Sequence, residues 1–291
     1  MKRLLAALLL CVGVAHAEIV VRDDTGSDVR LPVPAKRIVS LAPHITEDLF
    51  AVGAGDRVVG TVDYSDYPAA AKRIARIGGF SRFDLEAIVA LRPDLVIGWQ
   101  TGNSAAQLER LRAVGLPVFV TQPNRIEDVA ADLERLGRLA GSEVPARAAA
   151  AAFRERLEAL KNRYSGLPSV RTFYQVWNQP IMTVGGEQII SDAIRICGGT
   201  NVFGRLPGMA PTVSEEAVIA ANPEAIVASG MGEARPDWVD YWRRWPQIAA
   251  AARNNLFFVP PDLIQRHTPR LLDGTERLCE ALDTARRRRG R

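Results

Sequence analysis

Downstream of residue 17 the sequence holds two histidines, His44 and His267, and that scarcity bounds the chemistry at once. A zinc site built from several imidazoles is not available. His44 follows Pro43 near a helix start, where capping or a place on a pocket rim is its natural role; His267 is placed to face a ligand. Paired with Asp262, His267 could serve a secreted hydrolase, but a nucleophile motif is missing. No G-x-S-x-G elbow, phosphate-binding loop, dinucleotide fingerprint or H-E-x-x-H occurs, and Gly185-Gly186 and Gly198-Gly199 read as turn material.

Aromatic side chains at strand-to-helix junctions carry more information. Tyr64 and Tyr67 sit in Asp63-Tyr64-Ser65-Asp66-Tyr67-Pro68, Phe80 follows Gly78-Gly79, Trp99 follows Ile97-Gly98, and Trp177 ends Phe173-Tyr174-Gln175-Val176. Ligands of open α/β sheets bind outside the carboxyl ends of strands. Any one of these rings could be core, but several at such positions favour a large, partly apolar ligand held between two lobes.

The elements that must position these residues follow from periodicity. Short apolar runs at 37–41, 57–61, 94–98 and 117–120 predict strands, and 46–52, 84–91, 105–114 and 126–140 predict helices, the first with Thr46 as its N-cap. From Val144 to Tyr164 an Ala-rich run without glycine predicts one helix of about 30 Å. The rhythm then resumes, with strands at 171–176, 225–229 and 256–259 and helices at 188–197, 215–220, 238–252 and 268–286. Strands alternating with helices imply parallel sheets covered on both faces. The expected architecture is α/β: a lobe at 18–142, a linker helix at 143–166 and a second lobe at 167–285, with a ligand cleft between the lobes.

An ungapped internal repeat supports two related lobes. Residues 83–97, FDLEAIVALRPDLVI, align with 213–227, VSEEAVIAANPEAIV, so Glu86 and Glu216 occupy equivalent first turns. Each glutamate complements its helix dipole. The symmetry also admits a paired recognition role.

The charge balance excludes a nucleic-acid partner. The 291 residues carry 37 basic and 33 acidic side chains, yet five of the basic ones are arginines at 286–291 and two are Lys2 and Arg3, leaving 30 basic against 33 acidic in residues 18–285. The surplus is a basic tail at 286–291, expected to be frayed and solvated, rather than a basic face. Met1-Lys2-Arg3, the apolar run Leu4–Val14 and Ala15-His16-Ala17 form a secretory signal with cleavage after Ala17, and imply a mature protein that works outside the cytoplasm. In an oxidising compartment Cys197 and Cys279 are expected to form a disulfide; two buried thiols are the alternative.

Several segments together resemble a known family. Tyr64-Ser65-Asp66-Tyr67-Pro68, residues 85–97, Gly102-Asn103, residues 196–203 (ICGGTNVF) and Pro269-Arg270-Leu271 are similar to the cobalamin-binding proteins of vitamin importers. These lie within the helical-linker class of ABC-transporter substrate-binding proteins, which also take haem and ferric siderophores. The resemblance covers nearly all of residues 35–283. It implies a monomeric, non-enzymatic carrier, with cobalamin as cargo rather than cofactor. It further implies that Tyr64 and Trp99 pack on the corrin, that Phe80 stands where the family has a tryptophan, and that Asp262 and Arg266 form a polar pair on the other wall. Glu86 and Glu216 would dock on arginines of the membrane permease, and Cys197–Cys279 matches the family disulfide. Ala210 stands where a further pocket tryptophan is found, a place that Trp177 could fill. Haem or a ferric siderophore is the alternative cargo.

Overall fold

The computed structural model describes residues 18–230 and 234–290; the expected signal at 1–17 lies outside the described residues. The N-terminal lobe opens with an antiparallel hairpin, β1 (Ile19–Arg22) and β2 (Asp28–Leu31), which the sequence reading missed. It continues with β3 (Ile38–Ser40), α1 (Pro43–Ala51), β4 (Val58–Thr61), α2 (Leu85–Ala90), β5 (Leu95–Trp99), α3 (Ala105–Ala113), β6 (Val118–Thr121) and α4 (Ile126–Ala140). The linker is α5 (Glu143–Tyr164), a 22-residue helix. The C-terminal lobe comprises β7 (Val170–Gln175), a small hairpin of β8 (Trp177–Asn178) and β9 (Ile181–Met182), α6 (Ile189–Ile196), β10 (Gly199–Asn201), α7 (Glu215–Ala221), β11 (Ala225–Ala228), α8 (Ala249–Ala252), β12 (Leu256–Phe258), α9 (Pro261–Ile264) and α10 (Leu271–Arg287).

Each lobe contains a four-stranded parallel sheet, ordered β4-β3-β5-β6 in one and β10-β7-β11-β12 in the other. The order is the same in both: the first strand of the unit sits between the second and the third. The repeat extends to hydrogen bonds. Asp94 accepts the backbone N–H of Arg37 at 2.9 Å while the Arg37 guanidinium donates to the end of α2 at Leu91 O. Glu224 accepts the backbone N–H of Arg171 at 3.0 Å while the Arg171 guanidinium donates to the end of α7 at Ala221 O. In each lobe one acid and one arginine tie a helix end to the start of the central strand.

One apolar core runs from the α1 and α4 face of the first sheet, along α5 through Phe153, Leu157 and Tyr164, to the α6 and α10 face of the second. The opposite faces bury separate clusters, around Val96 and Phe83 in one lobe and around Phe173 and Trp242 in the other. The linker is therefore wedged into shared core, and salt bridges tie its C-terminal half to both lobes: Lys161 to Glu127 at 2.7 Å and Arg156 to Asp273 at 2.6 Å.

Three expectations need correction. The first helix starts at Pro43 rather than Thr46: proline at the first position has no N–H to leave unpaired, and Thr46, Glu47 and Asp48 are buried inside the helix. The expected helix at 238–252 is split, because Pro246 interrupts it; residues 237–244 form a 3-10 turn around buried Trp242, and only Ala249–Ala252 is α-helical. The tail is not frayed through Arg289. Arg286 donates to Pro168 O and Gly198 O at 2.8 and 3.0 Å, Arg288 to Asn254 O at 2.7 Å, and Arg289 pairs with Glu224 at 2.8 Å. The same region holds the Cys197–Cys279 disulfide, which joins α10 to the end of α6.

Candidate functional site

The carboxyl ends of β3, β4 and β5 place the first wall. Trp99 is the last residue of β5, and its ring lies 6.0 Å from that of Phe80, tilted by 46°. Gly102 allows this, since a Cβ there would fall inside the indole. Tyr64 follows β4 with φ +63°, a left-handed backbone that is strained for a tyrosine, and its ring is 68% exposed. A buried chain of hydroxyls holds the turn. Thr46 donates to Ser40 at 2.8 Å and meets Thr61 at 2.6 Å; Thr61 donates to Ser65 at 2.8 Å; and Arg76 donates to Ser65 O at 2.7 Å.

The second wall is the segment 261–270, where α9 turns into α10. Arg266 pairs with Asp262 at 3.0 Å on its own lobe and with Asp66 at 2.9 Å on the other, and donates to Tyr64 O at 3.2 Å. Behind it, buried Glu47 of α1 accepts from Thr268 at 2.7 Å and from Arg270 at 2.8 Å, and the Arg270 guanidinium lies 3.8 Å above the Tyr67 ring. Burial pushes the Glu47 carboxyl up, against the pull of Thr268 and Arg270. His44 and His267, both buried, face each other across the lobe junction with centroids 4.9 Å apart, and Trp99 meets them at 5.1 and 5.7 Å. Burial drives the His44 imidazole well below its ordinary range, helped by His267 and Arg266, and drives His267 down to about 4. His44 Nε2, His267 Nδ1 and Trp99 Nε1 are all buried without a hydrogen-bond partner.

Tyr64, Phe80, Trp99, Asp262 and Arg266 thus gather where the lobes meet. Trp177 stands on the β8–β9 hairpin at the carboxyl end of β7, its ring N–H donating to Gln179 O at 3.1 Å, and among the described residues no hydrogen bond or ring pair joins it to the other five. Two polar grooves, one of about 390 Å³ by Asp24, Asn124 and Asp128 and one of about 500 Å³ between Asn124 and the Ser191–Arg195 stretch of α6, are lined by none of these six residues. Asp262 pairs with Arg266 rather than with His267, whose Nδ1 is unpartnered, so the dyad that a hydrolase would need is not formed. His44 is not on a rim but packed in the junction.

Glu86 and Glu216 are both exposed in the first turns of α2 and α7, whose N-caps Asp84 and Ser214 accept backbone N–H groups of those turns. Backbone and Ser214 hydrogen bonds hold the Glu216 carboxyl below its ordinary range. Adjacent Glu215 is engaged by the Tyr241 hydroxyl, whereas the Glu216 carboxylate, among the described residues, is held only within its own turn. Sequence reasoning did not single out Glu47, Asn103 or Arg270. Asn103 and Arg270 stand inside motifs of the resemblance, whereas a glutamate early in a helix reads only as a dipole partner.

The family profile described as periplasmic binding protein matches residues 38–263. The chain belongs to this family. Among periplasmic binding proteins, the vitamin B12-binding protein of Vibrio parahaemolyticus is 37% identical over 257 residues, 88% of this chain and 92% of the relative. The crystal structure of the periplasmic vitamin B12 binding protein of Vibrio cholerae superposes with a TM-score of 0.80 at 33% identity, over 87% of this chain and 98% of that one. A periplasmic heme-binding protein from Roseiflexus in apo form superposes with a TM-score of 0.73 at 25% identity, over 86% and 99%. No helix of the described residues is long and apolar enough to cross a membrane.

Proposed function

We propose that this periplasmic binding protein captures cobalamin between its lobes in the periplasm and hands it to an ABC-transporter permease, without catalysing a reaction. The observation that carries the reading is the likeness to vitamin B12-binding proteins along about nine-tenths of both chains. The site chemistry supports it. Tyr64, Phe80 and Trp99 offer apolar faces to a corrin, and Asp262 and Arg266 offer an acceptor and donors to its amide rim. Trp177 on the rim of the second lobe supplies a further ring. The wedged linker helix implies limited lobe closure, since a continuous packed helix bends less readily than extended strands. Calorimetric titration with cyanocobalamin tests the proposal; micromolar or tighter binding is expected, and absence of heat alongside tight hemin binding overturns it.

Haem is the second reading. It is favoured by the unpartnered imidazole nitrogens of His44 and His267, which could serve an iron in an opened cleft. A hemin Soret shift abolished by His267→Ala would support it. Glu86 and Glu216, one per lobe, are read as the permease contacts.

A further inference from the structure

Asn103 lies in the short connection between β5 and α3, buried and away from the cleft surface. Its side-chain amide makes three hydrogen bonds, each to the backbone of a different segment. Oδ1 accepts the Trp99 N–H at 2.6 Å; Nδ2 donates to Phe80 O at 2.7 Å and to Leu41 O at 2.9 Å. Leu41 directly follows β3, Trp99 closes β5, and Phe80 is on the 78–83 loop that joins neither. Among the described residues, the bond to Asn103 is the one hydrogen bond that Phe80 makes. The same helix reaches the far end of that loop, where Gln107 Nε2 donates to Phe83 O at 2.9 Å.

Only an asparagine side chain fits this demand. It must supply one acceptor and two donors at fixed angles from a short stem; aspartate has no donors, glutamine is one methylene too long, and an apolar residue would leave three backbone groups unpaired, one of them buried and two partly buried. We propose that Asn103 is a positioning residue for ligand recognition: its amide sets the separation and tilt of Phe80 and Trp99 and so shapes the aromatic wall to the ligand. The inference rests on the reading of that wall as part of the binding cleft. It assigns to Asn103 no contact with the ligand.

The test is titration of the full chain with cyanocobalamin, using Phe80→Ala, Trp99→Ala, Asn103→Asp and the Phe80→Ala/Asn103→Asp double variant. Asn103→Asp keeps the volume and the acceptor but loses both donors. It is expected to weaken binding about tenfold, the scale of one or two lost hydrogen bonds. In the Phe80→Ala background the same substitution should cost at least about threefold less, because the ring it positions is gone. Trp99 emission, taken as the difference from a Trp99→Phe variant, should also shift. If Asn103→Asp does not fold, Gln107→Leu releases the loop from α3 without touching β5 and should show the same attenuation. Wild-type affinity in Asn103→Asp, or an equal cost in both backgrounds, overturns the inference while Phe80→Ala and Trp99→Ala still report on the cleft. A wild-type protein that takes neither cyanocobalamin nor hemin overturns both.

Discussion

His44 of α1 and His267 of the 261–270 segment lie ring to ring across the lobe junction, 4.9 Å apart, each with one nitrogen unpaired in the closed interior. Neutral imidazoles tolerate that arrangement, whereas imidazolium ions would be buried beside one another and beside Arg266. The junction is therefore closed by two groups that must stay deprotonated.

A pH dependence follows. His267 titrates near 4 in the folded protein and near 6.5 when exposed, so its contribution is full above pH 6.5 and is lost as pH falls toward 4. The size is on the order of 3 kcal/mol. Asp48 and Asp132, whose carboxyls burial raises, the latter to about 6, act with the opposite sign. His267→Phe isolates the imidazole term: its melting temperature should fall less than that of the wild type between pH 6.5 and 4. Parallel curves would show that the pair does not govern acid stability.

The hydroxyl chain beneath Tyr64 is a second point of leverage. Thr46→Val keeps the shape and removes the oxygen that meets Ser40 and Thr61, leaving buried hydroxyls short of partners at a cost of about 2 kcal/mol. Thr46→Ser keeps the oxygen and should recover most of that loss. Denaturant unfolding of the two variants separates the hydroxyl from the methyl; equal destabilisation would mean that packing, not the chain, holds the turn.

The repeat was legible because its parts are local: a cap, two helical turns, a proline and a buried strand lie within fifteen residues. The order of strands within each lobe was not legible, and neither was the hairpin β1–β2: Asp23-Asp24-Thr25-Gly26-Ser27 is a turn sequence, but the strands on either side are only four residues long. Tyr64 and Trp99 could be picked out by their position after strands, and Phe80 by its place after Gly78-Gly79. The groups that hold them could not: Thr46 meets Thr61 fifteen residues on, and Glu47 meets Thr268 at a separation of 221 residues. The arginine run misled for the same reason. Charge composition describes a tail, while the contacts of Arg286 and Arg289 depend on where α10 ends.

Those arginines act as a clasp. Arg289 faces Glu224; burial there works against the carboxylate, but Arg289 and the Arg171 backbone N–H outweigh it and hold the acid low. Arg286→Ala with Arg289→Ala should remove the arginine donors from the carbonyls of Pro168 and Gly198 and from the Glu224 carboxylate. A loss of about 3 kcal/mol, or about 5–10 °C in melting temperature, is expected. A scan that shows no change would return the tail to a solvated role.

Glu86 and Glu216 are exposed and stand on separate lobes at equivalent first turns. Their charges contribute little to stability at such sites, but paired acids on two lobes can fix the orientation of a docked partner. Glu86→Lys with Glu216→Lys should leave cyanocobalamin affinity within about twofold of wild type, because neither residue touches the cleft walls, and should reduce permease-coupled uptake more than about tenfold. Glu215→Gln is the matched control: its carboxylate already serves the Tyr241 hydroxyl, so uptake should persist. Loss of ligand affinity in the charge-reversed protein would move the two glutamates from the docking face into the pocket, and uptake that survives the reversal would remove them from transport altogether.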